Sequence, residues 1–243
     1  MKRIIKGKEP QQLLNFKNAN RLAPQNLSYI NLGKAEREPV KKSLLNEQGF
    51  LCAYTLKRID FETCHIEHIK PEELCRKQIE QGEGTLSDLD YKNMVACFPK
   101  SGVSGVSKEK YFGAIKKGDW WAGDGKAFVS PLDADCENHF TFNSKGEVHH
   151  TTRKGKITID VLALNHRILV NDRKRAIDEF INRKPLSKAH AERAIREITQ
   201  RRKDGFYEYC VPVKFALQEH IEKLKKKKKQ TIKRYFVNCI EKN

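Results

Sequence analysis

The stretch Cys64-His65-Ile66-Glu67-His68-Ile69-Lys70-Pro71 decides how this chain is read. It is the densest group of metal- and proton-competent side chains in the sequence. On a strand, His65 and Glu67 point one way and Ile66 and His68 the other. A turn at Glu67-His68 brings a carboxylate and an imidazole to one centre. The carboxylate is a hard oxygen ligand suited to magnesium or manganese. An imidazole that titrates near neutrality can take a proton from water. Those two jobs beside one cation suffice for phosphodiester hydrolysis. Taken alone, the same four residues also read as a pair of structural histidines.

Outward from this stretch, charge separates the chain into two parts. Its 243 residues carry a formal charge of +17. Residues 1–140 hold 22 Lys+Arg and 19 Asp+Glu, whereas residues 141–243 hold 26 and 12. An excess of this size points to a polyanion, most commonly nucleic acid. Chemistry is therefore expected in residues 1–150, with an N-terminal arm, and binding or docking in a basic helical region at 151–243. No apolar run approaches the roughly 20 residues of a membrane helix, and no signal peptide is apparent. Seven cysteines without a signal peptide argue for reduced thiols in a cytoplasmic protein. No Cys-x-x-Cys pair occurs, so no zinc ribbon is read from spacing. A Gly-Lys-Ser/Thr phosphate loop is also missing, so any ATPase must be another protein.

The elements expected around the cluster are these. An irregular arm leads to a helix near Val40–Glu47, ended by Gly49. Phe50–Tyr54 reads as a strand or tight knuckle, and residues 55–70 as a short β-hairpin. Helices are expected at 72–81 and 108–117, the latter ending at Gly118. The loop at 99–107 is rich in Gly and Ser. Phe128–Val148 reads as strands with turns at Asp133–Glu137 and Ser144–Gly146. Helical spacing follows at Val161–Ile181. Ser187 is a candidate cap for a helix to about Arg202. A last helix spans about Val213 to Ile240 and contains Lys225 to Lys229, which cannot share one face. Trp120-Trp121 reads as core packing or a base-stacking pair, and His149-His150 as an exposed pair.

The order of features resembles the HNH endonuclease pattern. Gly49-Phe50-Leu51-Cys52-Ala53-Tyr54-Thr55 precedes Glu67-His68. Leu89-Asp90-Tyr91-Lys92-Asn93 and Cys97 follow, then Gly113-Ala114-Ile115-Lys116-Lys117-Gly118. More narrowly, the chain is similar to the HNH subunit of Septu and retron-associated antiphage systems. Met1–Gly7, Ile66–Ile69, Ser130–Asp133, Asp135–Glu137, Leu162–Asn165 and Arg173 carry that likeness.

The resemblance implies an α+β fold: an HNH (ββα-metal) core embedded in a largely helical chain with a basic helical C-terminal part. It implies a metal-dependent endonuclease of DNA or RNA, working as the effector of a bacterial defence complex. By the same likeness, His68 is the general base. Glu67 is a metal ligand or a group hydrogen-bonded to one. Asn93 is the central Asn that orients the His ring or braces the loop. His65 is an auxiliary ligand or a structural hydrogen-bonding group. Lys116 is the closing Lys, contacting a phosphate or simply exposed. Magnesium or manganese is the implied catalytic ion. The implied partners are an ABC-type ATPase of the Septu kind and a retron reverse transcriptase with its RNA–DNA hybrid.

Departures from the pattern shape a second expectation. Thr55 and Phe112 stand where the family has cysteines, leaving Cys52 and Cys97. Two thiolates do not hold a structural zinc unaided, so Phe112 is expected to fill that volume with Tyr54 or Trp120. Gly113 stands at the helix-borne ligand position, and Asp119 and Asp124 are the nearest carboxylates. A degenerate HNH fold that binds nucleic acid or serves as a scaffold is the alternative. A helical adaptor docking on an acidic partner is a third.

Overall fold

Met94–Cys97 (β2) is the strand on which the first half of the molecule is assembled. Its four residues, Met-Val-Ala-Cys, are all buried, as a short apolar run bounded by turns should be. In the computed structural model, β2 pairs antiparallel with His65–His68 (β1), His65 opposite Cys97 and His68 opposite Met94. The structure describes residues 1–83, 87–100, 111–122, 125–182 and 186–240, with backbone alone for 231–240. The expected Gly- and Ser-rich loop at 99–107 thus lies mostly outside the described residues, as do Asp124 and the first part of the helix expected at 108–117.

A strand buried on every side must find partners for the edge that faces away from β1. The Gln48 carboxamide supplies them: Ala96 N–H donates to Gln48 Oε1 at 2.6 Å, and Gln48 Nε2 donates to Ala96 O at 2.8 Å. Lys6 Nζ donates to Met94 O at 3.1 Å. Gln48 stands just past the helix Lys34–Glu47 (α2), so that helix positions the clamp. The N-terminal segment is therefore not an irregular arm. Met1 and Ile4 are buried, Ile4 N–H donates to Pro131 O at 2.8 Å, and a helix spans Gln11–Ala19 (α1). Leu13 anchors α1 in a run otherwise dominated by Asn and Gln, and that composition obscured it.

The hairpin expected within residues 55–70 does not form. Residues 60–63 are instead a turn held by Asp60 Oδ1, which accepts from the Glu62 and Thr63 amides. β1 finds its partner beyond the helix Glu72–Glu80 (α3). Phe50–Tyr54 is the tight knuckle, closed by a Leu51–Arg58 bridge. The helix before Gly118 is only Ala114–Lys117 (α4) in the described residues.

Phe140–Phe142 (β3) and Val148–His150 (β4) form the second small antiparallel sheet. The strands expected over residues 128–148 are limited to these ends. Helices follow at Arg153–Val161 (α5), Arg167–Ile181 (α6), Lys188–Thr199 (α7) and Cys210–Ile240 (α8). The Thr152 hydroxyl caps α5 and Ser187 caps α7. One apolar cluster joins the N-terminus, β1–β2, the sheet β3–β4 and α5. A second joins α6, α7 and the first half of α8 with Leu51 and Leu56. Among the described residues no helix is long and apolar enough to cross a membrane.

Arg173 on α6 ties the second sheet to the helices. Its guanidinium is buried and donates to Gly146 O at 2.6 Å and Leu164 O at 2.7 Å. Burial holds its pKa down at about 10. Arg173→Ala leaves two buried carbonyls without donors. The expected loss is about 3 kcal/mol, read from the shift of the urea unfolding curve. A loss below about 1 kcal/mol would show that the two carbonyls find other donors.

Candidate active site

Asn93 sets the local geometry from which the site is built. It ends the segment before β2 and is buried. Its carboxamide pairs with both backbone groups of Lys70: Lys70 N–H donates to Oδ1 at 2.8 Å, and Nδ2 donates to Lys70 O at 2.9 Å. Its backbone carbonyl accepts from Ile69 N–H at 2.9 Å. Asn93 thus braces the turn that carries the chain from His68 into α3. Two of its side-chain bonds go to the backbone of this turn, and Nδ2 also reaches Cys75 Sγ on α3 at 3.6 Å. Of the two expected roles, bracing is the one its contacts support.

His68 ends β1 and is only 4% exposed. Its Nε2 lies 2.8 Å from Asp88 O. A carbonyl only accepts, so Nε2 carries a proton, and Nδ1 faces the Glu72 carboxylate in the cleft. The Glu72 Oε1 atom lies 3.1 Å from Nδ1, and the Tyr29 ring meets the imidazole edge-on at 4.6 Å. Asp88 is itself fixed. Its carboxylate is buried and accepts from Ser28 Oγ at 2.8 Å, Tyr29 N–H at 3.1 Å and Arg76 NH1 at 3.0 Å. Arg76 also reaches Glu72 at 3.8 Å. Both nitrogens of His68 therefore face groups belonging to one connected web.

His65 and Glu67 lie on the other side of β1, as the strand period requires. His65 Nδ1 donates to Pro99 O at 2.5 Å, which turns Nε2 toward Glu67 Oε2, 3.5 Å away. Burial alone would lower the His65 pKa, but Glu67 and the Pro99 carbonyl raise it. Burial alone would raise Glu67, yet His65 and the Lys117 ammonium together hold it below the usual carboxylate range. Lys117 Nζ, almost wholly buried, donates to Glu67 Oε1 at 2.9 Å, His68 O at 3.0 Å and Gly118 O at 3.3 Å. Lys116, the lysine singled out in the sequence, is exposed on α4 and does not line the cleft. A cleft of about 410 Å³ brings together His65, Glu67, His68, Glu72, Arg76 and Lys117, with Asp119 at its edge.

Of these residues, His65 and Glu67 stand close enough to share one divalent cation, and they meet each other as an ion pair. Two ligand atoms about 2.1 Å from one cation, at angles of about 90–120°, lie about 3.0–3.6 Å apart. The His65 Nε2 to Glu67 Oε2 separation of 3.5 Å falls in that range. A backbone carbonyl on the far ring nitrogen is also the usual support of a metal-binding imidazole. Magnesium binds through one or two protein groups and completes its shell with water and phosphate. Among the described residues no three His, Cys, Asp or Glu side chains group around one point.

The knuckle beside the cleft has been rebuilt around aromatic packing. Cys52 and Cys97 are fully buried, and Phe98 N–H donates to Cys52 Sγ at 3.4 Å. Burial pushes the Cys52 thiol up, but hydrogen bonds from Cys97, Thr55 and Phe98 outweigh it and bring the pKa to about 6. Phe112 stacks on Phe98 at 6.3 Å and packs on His166 at 5.2 Å. The expected partners Tyr54 and Trp120 instead pack on Phe128. Gly113 adopts a φ of +64°, and a side chain there would meet the Thr55 methyl. Trp120 and Trp121 pack against the first apolar cluster, and His149 and His150 are exposed.

No known family profile matches this chain. It is 27% identical over 186 residues to the protein named "Retron Vc95 putative HNH endonuclease" of Vibrio cholerae serotype O1 biovar El Tor. That match covers 71% of this chain and 80% of the relative. The chain is thus a distant relative of a retron HNH protein. A second match, to Septu protein PtuA of Bacillus mycoides, is 41% identical over 57 residues. It spans 24% of this chain and 8% of that protein. These likenesses support a relationship to HNH proteins and to defence systems. The mixed helical fold with two small antiparallel sheets is consistent with it.

Sequence reading singled out His65, Glu67, His68 and Asn93; the first three line one cleft, and Asn93 is bonded to the Lys70 backbone behind it. It missed Tyr29, Glu72, Arg76, Asp88 and Lys117. The signal for Glu72 and Arg76 was present: acidic and basic residues in the first helical turns after His68. Replacing Asn93 by Ala removes both partners of the Lys70 backbone. The expected cost is about 2 kcal/mol, together with faster hydrogen exchange at the Lys70 amide. Unchanged protection of that amide would show that the turn is held by something other than Asn93.

Proposed function

We propose that this chain is a metal-dependent HNH-type endonuclease, the effector subunit of a bacterial antiphage complex. One observation carries the reading. His68 Nε2 is bonded to the Asp88 carbonyl, while Nδ1 meets, among the described residues, only the half-exposed Glu72 carboxylate in a cleft that His65 and Glu67 also line. A histidine fixed in one tautomer with its second nitrogen toward a cleft is what a general base requires. The distant retron relative supports the reaction class by its name.

In this mechanism His68 Nδ1 accepts the proton of a water poised in the cleft. That water attacks a phosphodiester phosphorus, the bond from phosphorus to the leaving sugar oxygen breaks, and that oxygen takes up a proton from solvent. Glu72 turns away from Nδ1 when the water takes its place; the half-exposed position of this side chain permits the movement. Asp88 O holds the imidazole throughout, and Asn93 keeps the turn behind it rigid. Arg76 and Lys117 place positive charge along the cleft, where a phosphate would lie. Magnesium or manganese held by His65 and Glu67 supplies charge stabilisation to the phosphate oxygens when bound. The proposed partners are an ATPase of the Septu kind and a retron reverse transcriptase with its RNA–DNA hybrid. The named relatives motivate both.

A second reading has its own observation. The Lys117 ammonium already occupies one oxygen of Glu67, and Thr55, Phe112 and Gly113 replace family ligands. A scaffold that binds nucleic acid without cutting it would have these features.

Two measurements separate the readings. His68→Ala in the assembled complex should lower metal-dependent cleavage by about 10²-fold or more without loss of assembly. Persistent cleavage would overturn the general-base assignment. Glu67→Gln should weaken manganese binding by about tenfold or more, followed by electron paramagnetic resonance of the ion. Equal manganese binding in the variant removes Glu67 as a ligand, whatever the activity.

A further inference from the structure

The lysine run of α8 lies where that helix leaves the body of the protein. The first part of α8 is seated: Val211, Val213, Ala216, Leu217 and Ile221 are buried in the second apolar cluster. His220 Nε2 lies 2.9 Å from Leu186 O, which ties the helix to the segment before α7. Burial then stops. Every side chain from 225 to 230 is exposed. The nearest acids on the helix are already engaged, Glu219 by Lys223 and Glu222 by Lys225, each at 2.6 Å.

Successive residues of a helix turn by about 100°, so five consecutive lysines carry positive charge around its whole circumference. Like charges at i,i+4, such as Lys225 and Lys229, destabilise an isolated helix. No apolar face between 225 and 230 offsets this. A protein groove reads one face of a helix through apolar anchors at i, i+3 and i+4, and this stretch has none. A helix about 10–12 Å across enters the major groove of B-form DNA, about 12 Å wide, with phosphates along both walls. The A-form major groove of duplex RNA is too narrow to admit it.

We propose that residues 225–230 of α8 are an arm that lies in the major groove of duplex DNA and contacts phosphates on both sides. This deepens the nuclease reading, on which it rests for nucleic acid as substrate, by naming its class. Lysine can reach guanine as well as phosphate, but five identical ammonium groups spread around the helix favour no one sequence, so the arm's grip is governed mainly by salt.

The test uses the full chain carrying His68→Ala, so that the probe is not consumed. Fluorescence anisotropy follows binding to a short duplex DNA, and to an RNA duplex of the same sequence, between about 50 and about 200 mM salt. Each lost phosphate contact lowers the slope of log K against log salt by about 0.9. Replacing Lys225 to Lys229 by Gln should therefore reduce the DNA slope by about 4. A milder variant, Lys226→Gln with Lys228→Gln, should reduce it by about 2. RNA binding should change in neither. Slopes for DNA within about 0.5 of the parent in both variants would overturn the arm. So would equal losses on DNA and RNA, or no binding of the parent to DNA at the lowest salt. Such a failure leaves the assignment of His68 standing. Persistent cleavage by an otherwise intact His68→Ala complex removes that assignment and leaves the arm.

Discussion

Two buried carboxamides hold this structure at its centre. A ladder of two four-residue strands has little stability of its own, and β2 is buried on all sides. Gln48 satisfies the outer edge of β2 through Ala96, and Asn93 closes the turn at the far end of β1 through Lys70. A carboxamide presents one donor side and one acceptor side, so it can replace a missing strand residue for one register only. Both clamps therefore fix the register as well as the ladder. A slip of one residue would exchange the face that carries His65 and Glu67 with the face that carries Ile66 and His68. The position of every charged group at the site depends on that register being held.

The charges then interlock, because almost none can be buried alone. Asp88 is compensated by Arg76 and by the Ser28 and Tyr29 donors, and Glu67 by His65 and Lys117. Lys117 is wholly committed: its three protons point at one carboxylate and two carbonyls. It joins α4 to β1 at the point where a helix-borne ligand would approach in the family pattern. Each cation of the cleft consequently stands beside a carboxylate, Lys117 by Glu67 and Arg76 by Asp88 and Glu72. Glu72 is the exception. It is the most exposed partner of His68, and it leans on Arg76 at 3.8 Å, so it is the group freest to leave.

How much of this was legible in the sequence follows from distance along the chain. His65, Glu67 and His68 were visible because a strand converts adjacent letters directly into opposite faces. Asn93 was visible through a spaced pattern. β1 was given the wrong partner because strand pairing across an intervening helix leaves no local trace, whereas turn residues at 55–63 imitate a hairpin. α1 was hidden by Asn and Gln, and Pro39 inside α2 concealed where that helix begins. Asp88 acts on His68 through its backbone carbonyl, a group every residue possesses, so no residue type could announce it. Lys116 and Lys117 differ only in the phase of a four-residue helix, which periodicity cannot resolve over a single turn.

The rebuilt knuckle shows how a change of chemistry can leave a fold intact. The HNH pattern that the sequence resembles has four thiolates; here Cys52 and Cys97 stand at two of those positions and Thr55 and Phe112 at the other two. The Phe112 ring is wedged between Phe98 and His166, and a buried aromatic side chain contributes about 2–3 kcal/mol from area alone. The Phe98 N–H and Thr55 still donate toward Cys52, so the sulfur keeps the hydrogen bonds that would stabilise a thiolate. Phe98 belongs to the same chain turn as Pro99, whose carbonyl orients His65. Packing at Phe112 is thereby coupled, through two adjacent residues, to the ring nitrogen that faces Glu67. Aromatic burial at Phe112 thus helps to hold the β1–β2 pair, and with it His65, in place.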